Sequence, residues 1–374
     1  MEDIRMTATK APYAKLKQEL DDAFSAVMES MNLEEGPQAQ RFAASLETYL
    51  QVPLVVPCAS GTEALRFALS VLQLPAGAEV VVPAFGDASV VEVLLQLGLK
   101  PAFADVDAAT FTLTASSVES VLSPHTAAIF ASHLFGQPAP MHELVQLAQQ
   151  HKKWLIEDAT QALGAACEGP DDVLVKAGAI GHIGLMSFFP TKPILSSGEG
   201  GAVIMHDKEL TAKLQGRNDR QHLVEFTDSR QRLGALDAAM LDVKLKYVDA
   251  FNEGKEKVAR YYDAAFADTE LVQTPYRASY GSHVFHQYTI KVTLDIRDGL
   301  QEYLSNNFIP SAVYYPEPLH LLANFAHPSC KAGDFPVSEE LCKGVLSLPM
   351  HTELKQEQLE YICHHVLVYL TQLA

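Results

Sequence analysis

Basic residues are scarce in this 374-residue chain: 28 Lys and Arg stand against 46 Asp and Glu, for a formal charge of −18. That balance argues against unspecific binding to nucleic acid or to an anionic membrane surface, while leaving room for an anionic small molecule met by local positive groups. Cysteine is sparse as well. The five, at positions 58, 167, 330, 342 and 363, are odd in number and form no Cys-x-x-Cys pair. Neither a disulfide framework nor a zinc site is indicated, and no metal is expected. No apolar run reaches the roughly 18 residues that a membrane span needs. A basic-then-apolar signal is missing from the N-terminus, so a cytoplasmic protein is expected. Internal repeats and low-complexity segments are lacking too. What is present is a globular composition, 48% hydrophobic and 20% charged, with core enough for two domains or a large domain and a smaller companion.

Apolar spacing predicts a helix over residues 13–32, ending near Gly36-Pro37, and a second over 41–50. Beyond these, strands at 80–82, 100–105, 127–131 and 153–157 alternate with helices at 90–97, 116–122 and 141–151. Such alternation predicts an α/β domain with a largely parallel sheet, where ligands sit at the carboxyl ends of the strands. From residue 233 the pattern becomes a long helix to 251, continues helically over 255–267, and is followed by a strand over 284–292. A smaller C-terminal α+β domain is therefore expected, dividing the chain into 1–245 and 246–374.

Three stretches carry chemistry. Ser187-Phe188-Phe189-Pro190-Thr191-Lys192 sets one lysine between an apolar run and the turn Gly198-Glu199-Gly200-Gly201. An amine so placed can lose its charge by desolvation, and a neutral amine attacks a carbonyl to form a Schiff base; alone, the stretch reads sooner as an ordinary surface lysine in a loop. Leu155-Ile156-Glu157-Asp158 reads as a buried strand ending in a carboxylate. Pyridoxal phosphate needs such a group to keep its ring nitrogen protonated, although Asp158 would also suit a helix N-cap. Cys58-Ala59-Ser60-Gly61-Thr62 runs from strand to helix through small and hydroxylated residues, where free backbone N–H groups would hold a phosphate. Arg217, Arg220, Arg230 and Arg232 cluster in an otherwise acidic chain, as an anion site or as a solvated basic loop.

With these motifs in order, the chain resembles the sugar aminotransferases of the DegT/DnrJ/EryC1/StrS type, which are fold-type I pyridoxal phosphate enzymes. The likeness extends through Glu157-Asp158-Ala159-Thr160-Gln161-Ala162-Leu163-Gly164, His133-Leu134-Phe135-Gly136, Phe285-His286-Gln287-Tyr288, Tyr314-Tyr315-Pro316 and Leu346-Ser347-Leu348-Pro349, nearly the whole chain. It implies a large domain whose mostly parallel, seven-stranded-type sheet is sandwiched by helices, plus a smaller C-terminal α+β domain. It also implies roles. Lys192 would hold pyridoxal phosphate as a Schiff base and shuttle the proton at the substrate's α-carbon. Asp158 would pair with the pyridine nitrogen and Gln161 with the ring's phenolic oxygen or face. Ser60, Gly61, Thr62 and Ser187 would hold the phosphate. His286, Tyr314, Tyr315 and His320 would line the sugar-nucleotide side, although such residues beside prolines are as often packing elements. Active sites in this family are completed across a two-fold interface, so a homodimer with shared sites is expected.

Some positions depart from the family pattern. After Val82-Pro83-Ala84-Phe85 the family usually continues with threonine and an aromatic residue that stacks on the cofactor; here stand Gly86 and Asp87. Arg230 aligns with an asparagine that commonly reaches the cofactor phosphate of the neighbouring subunit, and Gly234 and Asp237 replace an aspartate and a glutamine. The expected activity is transfer of an amino group from an amino acid, L-glutamate, to a nucleotide-linked keto sugar, with a lean to 3-keto over 4-keto. The product would be an amino sugar for a surface polysaccharide or a secondary metabolite. A non-catalytic relative that keeps cofactor or sugar-nucleotide binding is the alternative, motivated by Asp87. A dehydratase using the same cofactor is opposed by Lys192, because that branch carries histidine there.

Overall fold

The computed structural model describes residues 3–7, 11–33, 37–169, 173–189, 192, 194–207, 210–211, 231–293, 296–325 and 330–372. Two helices come first, α1 (Ala11–Ser30) and α2 (Pro37–Leu50). The second begins four residues earlier than its apolar pattern, on a proline, whose missing N–H costs nothing in a first turn. Its buried residues Phe42, Leu46 and Leu50 recur at i, i+4 and i+8, the stripe of a one-sided helix.

The predicted alternation follows as β1 (Leu54–Cys58), α3 (Gly61–Leu72), β2 (Glu79–Pro83), α4 (Ser89–Gln96) and β3 (Lys100–Ala104). It continues with α5 (Ala115–Glu119), β4 (Thr126–Ser132), α6 (Met141–His151) and β5 (Trp154–Asp158). A small antiparallel pair, β6 (Ala166–Glu168) with β7 (Leu174–Lys176), precedes β8 (Ile183–Ser187) and β9 (Gly201–Met205). Seven strands form one sheet in the order β1-β9-β8-β5-β4-β2-β3, parallel at every pairing except the two made by β9.

Helices cover both faces, which is why the strands read as continuous apolar runs rather than alternating ones. Val80, Val82, Phe130 and Val203 pack beneath α3 and α4. On the opposite face Val81, Ile129 and Leu155 lie against α6, and Ala202 and Ile204 cluster with residues of α2. Each large side chain so buried contributes roughly 1.5–3 kcal/mol. Six co-directional strands consequently end on one edge, at Cys58, Pro83, Ala104, Ser132, Asp158 and Ser187. The three chemistry-bearing stretches all arrive there, as the crevice rule for such sheets requires.

The long helix expected from 233 is two helices, α7 (Ala235–Leu245) and α8 (Val248–Phe266), separated at Lys246 and Tyr247. The division has a packing cause. Leu241, Leu245 and Val248 belong to the core under the large sheet, whereas Val258, Tyr262 and Phe266 belong to a separate one. Tyr247 is held at the break by a hydrogen bond from its hydroxyl to Glu19 of α1, at 2.5 Å. The separate core fills a three-stranded antiparallel sheet, β10 (Val272–Gln273), β11 (Tyr288–Val292) and β12 (Val345–Leu348). It is completed by α9 (Arg297–Asn306) and α11 (Gln356–Thr371), while α10 (Pro336–Gly344) leads directly into β12.

The strand predicted over 284–292 is shorter than expected. Its first residues leave the small sheet and bond instead to the turn that follows β4: Val284 N–H donates to Gly136 O at 3.0 Å and Gln287 N–H to Phe135 O at 3.3 Å. That detour carries His286 to the strand-end edge.

Candidate active site

A cavity of about 500 Å³ opens at this edge. Ser60, Gly61, Thr62 and Ser187 line one end, Lys192 and Gln161 its interior, and His286, Tyr314 and Tyr315 the side toward the small sheet. Residues separated by up to 255 positions are thus brought together, as the resemblance implies.

The first end is built by a helix start against a strand end. Ser60 caps α3, its Oγ accepting from Glu63 N–H at 3.1 Å, while Ala64 N–H donates to Ser60 O at 3.0 Å. The N–H groups of Gly61 and Thr62 are left without acceptors in the helix, at the positive end of its dipole. The approach is close: a Cβ on Gly61 would lie 2.9 Å from Ser187 Cβ. Gly61→Ala therefore forces Ser187 aside. Such overpacking costs about 1–3 kcal/mol. Equilibrium titration of the Gly61→Ala protein with pyridoxal phosphate is expected to show affinity about tenfold weaker than the parent, or worse.

Lys192 lies between β8 and β9, its N–H donating to Phe189 O at 2.8 Å. Burial holds its amine below the ordinary lysine value, and the carboxylates of Asp158 and Asp87 pull the other way without cancelling the effect. Asp158 stands opposite Ser132 in register at the ends of β5 and β4. Its Oδ2 accepts from Ser132 Oγ at 2.8 Å and its Oδ1 from Thr160 N–H at 3.1 Å. No helix begins there; the bond to Thr160 is an Asx turn, so Asp158 is not an N-cap.

Gln161 is not solvated. Its Oε1 accepts from Phe135 N–H at 2.9 Å and its Nε2 donates to Tyr315 Oη at 3.4 Å. Burial raises the Tyr315 phenol above its usual range, and the charge of Asp87 adds to this. His286 is 6% exposed, and its Nδ1 has no hydrogen-bond partner among the described residues. Burial, with Lys192 and Lys255 nearby, keeps the imidazole neutral. A buried polar atom without a partner is costly, and here a ligand can supply one.

Among the described residues, the expected Asp158 and His320 do not line the cavity. His320 is 1% exposed and packs edge-on to Phe335 at 4.6 Å and tilted to Phe103 at 6.3 Å. Its Nε2 meets Glu339 Oε1 at 3.2 Å. The preceding Leu319 enters the core beside the large sheet and donates its N–H to Ala84 O, which draws His320 inside as a packing residue. Arg230 lies outside the described residues, as do Arg217 and Arg220.

Other residues of the site went unnamed in the sequence as ligand contacts. Asp87 lines the cavity with its Oδ1 accepting from Ser89 N–H at 2.9 Å; its signal was the departure after Phe85. Behind Asp158 sits Glu157, fully buried against His133. Glu157 accepts from the N–H groups of Gly178, Ile180 and Gly181 at 2.6–2.8 Å and faces His133 Nε2 at 2.9 Å. His133 Nδ1 accepts from Ala139 N–H at 3.0 Å, so the ring's proton points at Glu157. Burial pushes the Glu157 carboxyl up, but His133 and these backbone donors outweigh it and hold the carboxyl below its usual range. The available signal was a second acid beside Asp158 in an apolar strand.

The model of the DegT/DnrJ/EryC1/StrS aminotransferase family matches residues 14–367. The chain belongs to this family. It is 36% identical over 363 residues to the UDP-N-acetyl-3-dehydro-alpha-D-glucosamine 3-aminotransferase of Acidithiobacillus ferrooxidans, spanning 96% of each chain. With the GDP-perosamine synthase of Vibrio cholerae it shares 30% over 346 residues, 89% of this chain and 91% of that one. Its fold is similar to that of crystalline DesV from S. venezuelae, with a TM-score of 0.89 and 30% identity over 98% of both chains. This aminotransferase is a pyridoxal phosphate enzyme of fold type I. The cavity fits that cofactor, with unsatisfied N–H donors and hydroxyls at one end, a carboxylate aimed by two strands, and a desolvated amine within electrostatic reach of it.

Proposed function

We propose that this aminotransferase moves an amino group from L-glutamate to the ketone of a nucleotide-linked sugar, leaning to a 3-keto sugar, to make an amino sugar for a surface polysaccharide or a secondary metabolite. The observation that carries this is the Lys192 amine, held below its usual pKa beside Asp158 at the strand ends. Bound there, pyridoxal phosphate supplies an electron sink. Ser60, Gly61, Thr62 and Ser187 would hold its phosphate, Gln161 its phenolic side, and Asp158 would keep the ring nitrogen protonated. Lys192 would carry the proton at the donor's α-carbon. His286, Tyr314 and Tyr315 meet the sugar nucleotide. The 36% identity with a relative named for 3-amination supports attack at C3 over C4.

The non-catalytic alternative is not favoured, because Asp87 lines the cavity together with Lys192, Gln161 and the residues of the phosphate end. The chain works as two domains, 1–245 and 246–374, with the cavity between their sheets. Phe24 and Met28 at i and i+4 on α1, and Met31 in the turn just after it, are 38–68% exposed, which supports burial in a homodimer. Arg230 then serves the cofactor phosphate across the dimer interface. Among the described residues no helix is long and apolar enough to cross a membrane, in keeping with a cytoplasmic site of action.

A screen of nucleotide-linked 3-keto and 4-keto sugars with glutamate, read by the cofactor's absorbance, tests the substrate. Failure of every keto sugar to return the aminated cofactor to its aldehyde form would refute the proposal. Asp158→Asn is expected to keep the cofactor bound yet lower turnover on the order of 10²–10³-fold, the usual effect of removing a group that stabilises developing charge.

A further inference from the structure

Lys192 sits in the stretch that joins Ser187 of β8 to Gly201 of β9, and a reactive amine on a loop works only if the loop is held. Part of the holding is internal. Phe188 N–H donates to Gly200 O at 2.7 Å, and both the N–H and the hydroxyl of Ser196 donate to Phe188 O, at 2.8 and 3.0 Å. These bonds tie the two arms of the stretch to each other. Phe188 anchors the base, its ring edge-on to Phe42 at 5.3 Å.

The rest comes from α7. Asp237 Oδ1 accepts from Ser197 twice, from its N–H and from its hydroxyl, each at 2.7 Å. Lys244 Nζ donates to Leu195 O at 2.5 Å. Asp237 and Lys244 are seven residues apart, two turns of helix, and so grip the stretch from one face. The helix that carries them is itself fixed, since Ala238, Leu241 and Leu245 share the buried cluster of Phe188 and Ile194. A carboxylate that takes both donors of one serine makes stronger, more directional bonds than a neutral amide would.

We propose that Asp237 and Lys244 are positioning residues that clamp residues 195–197 and thereby set where the Lys192 amine stands. The proposal rests on Lys192 being the reactive amine. Neither residue lines the cavity, so their effect is exerted through the loop. A misplacement of about 1 Å in a reacting group costs roughly 10²-fold in rate.

The test uses the full chain with Asp237→Ala, Asp237→Asn, Ser197→Ala and the Asp237→Ala/Ser197→Ala pair. In the cofactor-free protein, amide hydrogen exchange at Ser197 should quicken about tenfold in Asp237→Ala, the loss of one net hydrogen bond. With pyridoxal phosphate and glutamate in single turnover, the rate of the donor half-reaction, read by the cofactor's absorbance, should fall roughly 10²-fold while the half-saturating glutamate concentration holds. Asp237→Asn, which keeps an acceptor oxygen, should recover most of that rate. The double variant should be no slower than Asp237→Ala, because both changes remove one shared contact. Unchanged exchange at Ser197, or a rate loss that only tracks a fall in melting temperature and is not recovered by asparagine, would overturn the clamp. Faster exchange in a chain whose parent takes up no pyridoxal phosphate would leave the clamp standing and remove the role of Lys192 instead.

Discussion

Lys192→Ala is expected to abolish amino transfer, lowering turnover by roughly 10⁴-fold, the upper range for loss of a positioned proton carrier. The same change should not harm folding. A lysine whose pKa is lower in the folded chain than in the unfolded one opposes folding wherever the unfolded amine is charged. Burial lowers the Lys192 value, so its cost is fully present below the folded value and is relieved as pH rises from that value toward about 10.4, the unfolded one. Denaturant titrations of the cofactor-free proteins should therefore show parent stability rising over that alkaline limb, and the alanine variant lacking it. Retained turnover in Lys192→Ala would remove the basis of the proposed function.

Glu157→Gln is expected to destabilise the chain by about 3–5 kcal/mol, the penalty for breaking a buried charged pair from one side. The amide would set N–H groups against a site built from the N–H donors of Gly178, Ile180 and Gly181 and the ring of His133. The pH dependence has the opposite sense to that of Lys192. A carboxyl held below its unfolded value stabilises the fold above about pH 4.3 and loses that contribution as pH falls through its lower folded value. Acid unfolding of the parent should thus contain a component that Glu157→Gln lacks. Equal denaturation midpoints at pH 7 would show that the bond network around Glu157 carries no net stability.

Much of this was legible locally. Buried parallel strands are apolar runs and their covering helices have a 3.6-residue period, so the alternation from β2 to β5 stood in the sequence within a few residues at each boundary. Ser60-Gly61-Thr62, Asp158 and Lys192 each sit within a few residues of a strand end, where strand direction alone brings them to one edge. Contacts across long separations were not legible. The break at Lys246 and Tyr247 follows from the division of one helical stretch between two cores.

By itself the chain determined the order of strands and helices from β2 to β5, their co-directional sheet and the chemical groups at its carboxyl edge, because each depends on neighbours within about one element. Tertiary structure alone decided which histidine meets the cavity. His286 is carried there by backbone bonds to residues 135 and 136, while His320 is drawn into the core by Leu319 beside it. It also decided that Glu157 is sheltered by groups more than twenty residues away and that Asp237 grips Ser197 across forty. Such pairings carry no local period, because their free energy exists only once distant segments have packed.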